Sequence, residues 1–383
     1  MSNDVNKLVQ EVFLDLANAL ETGELNQKIK IGLTHDGSEH GHDVMLEAAT
    51  IAKSKGLFDV VLIGSKLDTD IELVEANGEK EIQSKLEELL DSNYIQGCVT
   101  LHYSFPIGVA TVGKVVTPAL GKPMYIATTT GTASSVRNEA MVLNAISGII
   151  AAKADGIENP TIGILNVDGA SSVKRALDQL NENGYNINFA SSKRADGGAV
   201  MRGNDLLMGS VDVMVCDALT GNILMKMFSS FNTGGSYEAL GYGYGPGIGE
   251  GYERNICIVS RASGSAVIAG ALEYAASLAK GNLANVTKTE YDKANKAKLK
   301  DVRESLQPKV ISTDAEEVNA PAKETVTGEI SGVDVLDLDD AVLALWKADI
   351  YAESGAGCTG PVVMVNEAKL EKAIAVLKEA GYQ

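Results

Sequence analysis

Short apolar runs alternate with amphipathic stretches along most of the chain. The runs are apolar at consecutive positions, whereas the stretches between them place apolar residues at helical spacing. Strands that are apolar on both faces are typical of parallel sheets covered by helices on each side. The pattern therefore predicts an α/β protein with three layers, α/β/α, and a largely parallel sheet. The predicted strands are residues 29–33, 60–64, 98–101, 124–127, 161–166, 187–190, 211–216, 255–259 and 362–365, and the predicted helices are residues 42–55, 79–90, 107–119, 134–152, 171–183, 219–231, 265–279, 289–304, 338–347 and 367–380.

The pattern changes at both ends of the chain. Leu8, Val12, Leu16 and Leu20 recur at helical spacing and predict an N-terminal helix. Residues 308–333 are rich in Pro, Thr, Glu and Ala without periodicity, which predicts a linker. The predicted organisation is an N-terminal helix (1–22), an α/β body (23–282), a charged helix with the linker (283–333) and a small α/β extension that docks on the body and carries Cys358 (334–383).

The composition is acidic, because 51 Asp and Glu residues against 33 Lys and Arg give a formal net charge of -18. Such a charge argues against nucleic acid or an anionic membrane surface as a partner. The four cysteines show no disulfide framework or zinc-binding spacing, and Cys98, Cys216 and Cys257 lie in apolar runs typical of a core. We find no signal-peptide pattern and no apolar run of the ~20 residues that a membrane span needs. We therefore expect a cytoplasmic protein.

Cys358 is the most informative residue, because it lies among Gly355, Gly357 and Gly360 with small neighbours. Backbone N–H groups of a glycine-rich turn can point at an anion, lower the pKa of a thiol and stabilise an oxyanion. These are the requirements of a nucleophile that carries an acyl group. The spacing alone is equally compatible with a tight turn that holds a passive cysteine.

Two strand-to-helix loops carry candidate ligands for an anion. In residues 128–137, Thr130, Thr132, Ser134 and Arg137 precede or open a predicted helix. A helix N-terminus with hydroxyl caps and a nearby arginine binds anions. The same residues are equally consistent with an ordinary helix N-cap.

The second loop, residues 216–226, begins where a predicted strand ends. Asp217 and Asn222 are placed to bind or orient a ligand there, and Lys226 lies one turn beyond Asn222 on the same helix face. The alternative is that the Asp and Asn side chains only close a turn. A third strand-to-helix loop, in which Asp168 is followed by glycine, has the same two interpretations, a ligand site or a turn.

Two further features lead to no site prediction. Residues 242–251 are rich in glycine but do not match a dinucleotide-binding pattern in register, so a flexible flap or partner-binding loop is predicted. His35, His40, His42 and His102 are interpreted as polar loop residues, without carboxylate or thiol companions at suitable spacing. We therefore predict no metal and no cofactor.

Four segments of the body carry recognisable motifs, residues 159–166, 202–207, 211–217 and 220–226. These segments resemble the phosphate acyltransferase family, which makes acyl phosphates for phospholipid synthesis. Ala218 and Leu219 stand where that family has Gly and Phe. The N-terminal half resembles this family, and the phosphate acetyltransferases, more loosely. The resemblance implies a fold of the isocitrate-dehydrogenase type, with a cleft between two subdomains.

The whole sequence, with residues 234–251 and the 355–361 tail, resembles the alpha subunits of component C of the glycine/sarcosine/betaine reductase complex. This resemblance implies that an acetyl thioester forms on Cys358. Inorganic phosphate then attacks the thioester and acetyl phosphate is released. Two protein partners are also implied, the beta subunit of component C and selenoprotein component A, whose carboxymethyl group is the source of the acetyl group.

Three functions stay open at this point. The first, which we expect, is an acetyltransferase subunit that uses Cys358 and delivers acetyl to phosphate. The second is a direct acyl-CoA or acyl-ACP:phosphate acyltransferase whose chemistry lies in the body. The third is a non-catalytic scaffold subunit of an acyl-transfer complex, in which Cys358 is slow to react.

Overall fold

The computed structural model describes residues 13, 17, 28–193, 197–307, 318–333, 337–357 and 360–382. Phe13 and Ala17 are helical, and the rest of the predicted N-terminal helix lies outside the described residues. None of the helices within these residues combines the length and the apolar character that crossing a membrane requires.

Twelve strands of the described residues form one sheet. Across the sheet their order is β3-β2-β1-β4-β12-β11-β5-β6-β10-β7-β8, and β9 pairs with β7. The strands are β1 Lys30–Thr34, β2 Asp59–Gly64, β3 Glu72–Glu75, β4 Gly97–Thr100, β5 Val109–Val116, β6 Pro123–Thr132, β7 Thr161–Leu165, β8 Asn188–Phe189, β9 Val200–Met201, β10 Val213–Val215, β11 Gly245–Ile248 and β12 Ile256–Ile258.

The sheet contains two parallel sets of strands that run in opposite directions. Strands β3, β2, β1, β4 and β12 are parallel to one another, and so are β6, β10, β7 and β8. Between the sets, β11 is antiparallel to both β12 and β5, and β5 is antiparallel to β6. The carboxyl ends of the two sets therefore lie at opposite edges. We call the edge where β1, β2, β4 and β12 end the first edge, and the edge where β6, β7 and β10 end the second edge.

Helices cover both faces of this sheet. Val60 and Leu62 of β2 point into one large core, whereas Val61 and Ile63 point into a separate core on the opposite face, as the pleat of a strand requires. The three layers confirm the predicted fold class. The helices are α1 His42–Ser54, α2 Glu79–Asp91, α3 Arg137–Ala154, α4 Ala170–Glu182, α5 Gly203–Met208, α6 Ala218–Ser230, α7 Ser265–Lys280, α8 Leu283–Lys296 and α9 Leu299–Ser305.

The prediction of a helix over residues 107–119 is wrong. This segment contains β5, which is largely buried between β11 and β6. β-Branched side chains are stiff at χ1 and pack well on a pleated surface, so they favour a strand. The β-branched residues of β5 are Val109, Thr111, Val112, Val115 and Val116.

The prediction of a flexible flap over residues 242–251 is also wrong. Strand β11 lies inside this segment, is buried, and joins β12 to β5. A Cβ atom at Gly245 would lie 1.7 Å from the carbonyl oxygen of Val112. The glycines here allow backbones to approach closely, and this close approach explains the composition of the segment.

The C-terminal residues form a second, antiparallel sheet. It contains β13 Gly328–Ser331, β14 Ala352–Gly357 and β15 Gly360–Val365 in the order β13-β15-β14. Helices α10 Leu338–Lys347 and α11 Leu370–Glu379 pack on it around a small apolar core of their own. Strand β13 lies within the predicted linker, so that prediction fails for this part, and residues 308–317 lie outside the described residues.

Candidate functional site

At the second edge, Arg137 contacts carboxylates of two other predicted loops. It is the first residue of α3, and its Nη2 donates to Asp217 Oδ2 over 3.0 Å. Its Nη1 lies 3.9 Å from Asp168 Oδ2 of the loop after β7. Three loops that the sequence analysis treated separately therefore meet at one guanidinium group.

Asp217 is the N-cap of α6. Its carboxylate accepts hydrogen bonds from the backbone N–H of Thr220 (3.0 Å) and from the Thr220 hydroxyl (2.7 Å). Burial opposes ionisation of Asp217, but these bonds and the bond from Arg137 outweigh it and hold the pKa of the carboxyl below its ordinary value. An ionised, fully engaged Asp217 anchors the start of α6.

Helix α6 lies unusually close to β6. Asn222 Nδ2 donates to the carbonyl of Thr129 over 3.1 Å. One residue earlier, a Cβ at Gly221 would lie 1.7 Å from the carbonyl oxygen of Thr128. Asn222 therefore ties the helix to the strand, and only a glycine at position 221 permits this distance.

Thr130 and Thr132 line a cavity of about 260 Å³ at the end of β6. Its other wall comes from the loop after β4, with His102, Tyr103 and Phe105. We call it the threonine cavity. Both threonines belong to the last part of β6, which extends past the predicted strand end at residue 127.

Ser134 belongs to a different group. Its hydroxyl donates to Glu139 Oε2 over 2.8 Å, and Arg303 Nε and Gln307 Nε2 donate to the same carboxylate. Burial opposes ionisation of Glu139, but the bonds from Arg303, Ser134 and Gln307 outweigh it and lower the pKa of the carboxyl. This network around the buried Glu139 carboxylate fixes the first turn of α3, so Ser134 acts on the position of Arg137.

Lys226 lies far from Asp217 along α6. Nine residues at a rise of about 1.5 Å per residue separate the two by about 13 Å along the helix axis. Its Nζ is 3.8 Å from Glu238 Oε1, and the buried Glu238 also accepts from Tyr244 Oη and Ser263 Oγ. Since Ser263 follows β12, Lys226 lies toward the first edge. The structure therefore does not bring all the predicted site residues together.

A second cavity, of about 380 Å³, opens at the first edge, and we call it the strand-end cavity. Ligands in open α/β sheets bind at such carboxyl ends. Arg261 at its wall is exposed and forms no ion pair with any described residue. The sequence patterns did not indicate this site, although most of its polar residues lie at the end of a strand or within three residues after it. Its polar lining includes Thr34, Asp36, Ser65, Glu79, Thr100, His102 and Arg261.

A third cavity, of about 650 Å³, separates the body from the C-terminal extension, and we call it the junction cavity. Arg137 and Arg175 contribute from the body, and Asp337 and Tyr382 from the extension. Arg175 contacts Asp337 Oδ2 at 3.5 Å and the carbonyl of Tyr382 at 3.4 Å. These bonds attach the extension to the body at α4.

Cys358 lies outside the described residues, between β14 and β15. Gly357 and Gly360 on either side of it are paired across the two strands, so the glycine-rich segment is a strand as far as Gly357. The other three thiols are buried, as predicted, and burial raises their pKa values above the ordinary range. They are the thiols of Cys98, Cys216 and Cys257.

Comparison with known proteins places these features in a family. A family model described as "Fatty acid synthesis protein" matches residues 29–364. The alpha subunit of component C of the glycine/sarcosine/betaine reductase complex of Peptoclostridium acidaminophilum is 59% identical over 382 residues, which cover 99% of each chain. A phosphate acyltransferase of Fervidobacterium nodosum is 27% identical over 228 residues, 55% of this chain and 63% of that one.

Among solved structures, a branched-chain phosphotransacylase of Enterococcus faecalis matches with a TM-score of 0.47 and 16% identity, over 66% of this chain and 99% of that chain. The sequence relatives confirm the resemblance found in the sequence. The chain therefore belongs to the fatty acid synthesis protein family and, within it, to the component C alpha subunits of glycine/sarcosine/betaine reductase.

Proposed function

We propose that this chain holds an acetyl group as a thioester on Cys358 and transfers it to inorganic phosphate. The observation that carries the proposal is the 59% identity, over 99% of both chains, to a component C alpha subunit. The phosphate acyltransferase relatives support the broader role, transfer of an acyl group between a carrier and phosphate. On this view the chain works within a reductase complex, with the beta subunit of component C and selenoprotein component A on the donor side.

The transfer is a substitution at the thioester carbonyl. A phosphate oxygen forms the new bond to the acetyl carbon, the C–S bond breaks, and the thiolate of Cys358 leaves. Acetyl phosphate is released and the thiolate accepts the next acetyl group. A thiolate leaves readily because an ordinary cysteine has a pKa of about 8.5, so the step needs no strong acid.

We propose the strand-end cavity as the phosphate site. Arg261 has no ion-pair partner among the described residues, whereas Arg137 and Arg175 contact carboxylates. A charge-assisted hydrogen bond to a phosphate oxygen is therefore most favourable from Arg261, since this bond does not compete with a carboxylate. We assign Thr130 and Thr132, which were predicted from the sequence, to binding of the acyl group. The reason is that the loop after β4 lines both the threonine cavity and the strand-end cavity, so the two cavities are neighbours.

The remaining predicted residues are proposed to hold this framework in place. Ser134 and Arg137 fix the start of α3, and Asp217 and Asn222 fix α6 against β6. Lys226 lies on the side of α6 that approaches the first edge and is proposed to add positive charge there.

The proposal is tested by loading the chain and then discharging it. The assembled complex is given its donor substrate without phosphate, and peptide mass mapping is expected to find one acetyl group on the peptide that contains Cys358. Added phosphate is expected to remove it and form acetyl phosphate. Acetyl on a different residue would exclude Cys358 as the carrier. Acyl phosphate made from acyl-CoA and phosphate by the isolated chain would support the direct acyltransferase instead.

The same experiment tests the phosphate site. Arg261→Gln is expected to load normally but to need about 10- to 100-fold more phosphate for discharge, since a charge-assisted hydrogen bond contributes about 1.5–3 kcal/mol. Arg254→Gln is the matched control, because Arg254 lies before β12, at the other end of that strand, and pairs with Asp91. Equal phosphate dependence in the two variants would exclude the strand-end cavity.

The extension contacts the body at the second edge, whereas Arg261 lies at the first. We therefore expect the extension to leave its contacts with Arg175 during transfer. Arg175→Gln, which removes a partly exposed ion pair worth up to about 1 kcal/mol, is expected to speed single-turnover discharge by about 2- to 5-fold. Slower discharge would mean that the docked position is the productive one.

A further inference from the structure

Three side chains near the first edge place possible metal-ligand atoms within 4.8 Å of one another. His35 and Asp36 directly follow β1, and His42 is the first residue of α1. His35 Nδ1 lies 3.1 Å from His42 Nδ1, Asp36 Oδ1 lies 3.7 Å from His35 Nδ1, and 3.8 Å separate Asp36 Oδ1 from His42 Nδ1. Two neutral imidazoles and one carboxylate are a common ligand set for a transition metal.

The spacing of these atoms fits coordination. The point equidistant from three atoms at these separations lies about 2.1 Å from each, close to the distances of about 2.0–2.2 Å for zinc to nitrogen and carboxylate oxygen. A single hydrogen bond between the two rings would explain the shortest separation alone. It would not explain why Asp36 Oδ1 is nearly the same distance from both rings.

The surroundings hold two of the three ligands in place. The side chain of His35 is buried, with 1% of the residue exposed. Asp36 is oriented by Ser65, whose backbone N–H donates to Oδ2 over 2.8 Å and whose hydroxyl donates to Oδ1 over 2.7 Å. Such outer contacts orient ligands in metal sites.

We propose that His35, Asp36 and His42 bind one divalent transition metal ion, with Zn²⁺ as the probe that matches the geometry. The nitrogen-rich set disfavours Mg²⁺ and Ca²⁺, which take oxygen ligands. Three protein ligands leave at least one coordination position open. The proposal departs from the sequence analysis, which predicted no metal, because Asp36 and the two histidines come together only through the fold.

The ion would change the charge of the strand-end cavity. Asp36 and Glu79 both line that cavity and place negative charge beside Arg261. A divalent ion on Asp36 makes this wall positive and offers an open position to an anionic oxygen. The metal proposal does not depend on acetyl transfer, and its test measures binding, so either proposal can fail without the other.

The test is metal binding by the full chain after chelator dialysis. Titration calorimetry with Zn²⁺ is expected to show one equivalent bound with a dissociation constant of micromolar or below. With Co²⁺ the absorption spectrum is expected to show d–d bands without a thiolate charge-transfer band, since the ligands are nitrogen and oxygen. A charge-transfer band would assign the metal to cysteine and overturn the proposal.

Two variants and a control decide which residues bind. His42→Asn and Asp36→Asn change side chains that are not deeply buried, and each is expected to weaken Zn²⁺ binding by at least about 100-fold. His40→Asn is the matched control, because His40 contacts the carbonyl of Ala262 and lies in the same loop. Absence of stoichiometric binding, or equal affinity in His42→Asn and His40→Asn, would overturn the site.

Discussion

Replacing Cys358 by Ser is expected to lower phosphate-dependent acetyl transfer in the complex by at least about 1,000-fold, as loss of a covalent nucleophile does in other enzymes. A serine hydroxyl stays protonated where a thiol ionises, and an oxygen ester yields its acyl group to phosphate far less readily. The measurement is acetyl phosphate formation, together with peptide mass mapping of the acetyl group.

The control for this variant is Cys98→Ala. Cys98 is fully buried, and burial raises the pKa of its thiol, so it should neither carry acetyl nor react with iodoacetamide in the folded chain. Alkylation of Cys358 is expected well below pH ~8.5, where an ordinary thiol becomes reactive. Full activity in the serine variant, or alkylation only at high pH, would favour the scaffold function.

Replacing Gly221 by Ala is expected to lower the free energy of unfolding by about 3 kcal/mol or more, at the upper end of the cost of overpacking a core. The new Cβ would lie 1.7 Å from the carbonyl oxygen of Thr128. That oxygen belongs to the backbone of β6 and cannot rotate away, so α6 must move off the strand. The bond from Asn222 to the carbonyl of Thr129 would then lengthen.

The measurement is the urea midpoint of the variant, with Gly203→Ala as its control. Gly203 opens α5, and nothing lies within 4 Å of the position of a Cβ there. The control is expected to change stability by less than about 0.5 kcal/mol. Equal midpoints for the two variants would mean that α6 does not depend on its close approach to β6.

The alternation of apolar runs and amphipathic stretches predicts the layers and most of the strands correctly. This alternation does not predict the direction of the strands in the second set, because that direction depends on whether residues 107–119 form a helix or a strand. A helix over residues 107–119 would have been a crossover and kept β6 parallel to the strands before it. Since β5 is a strand, β6 turns back, and every later strand of its set runs the opposite way.

This reversal also explains what the sequence analysis missed at the candidate site. The loops that follow β6, β7 and β10 meet at Arg137, but those that follow β1, β4 and β12 face the other edge. Arg261 and Asp36 could have been predicted as site residues, since each closely follows an apolar run of the sequence. The clustering of His35, Asp36 and His42 could not have been predicted, because helical or strand spacing does not reveal the turn between β1 and α1.

The antiparallel pairing of β5 with β6 also lowers the loop-closure entropy that assembly of the sheet costs. Strands β5 and β6 are joined by a loop of only about six residues, whereas the pairing of Cys98 with Ile256 closes a loop of about 160 residues. Loop-closure entropy makes the second pairing more costly by about 3 kcal/mol. Among the paired strands of the twelve-stranded sheet, β5 and β6 are joined by the shortest loop, so this pairing costs the least loop-closure entropy.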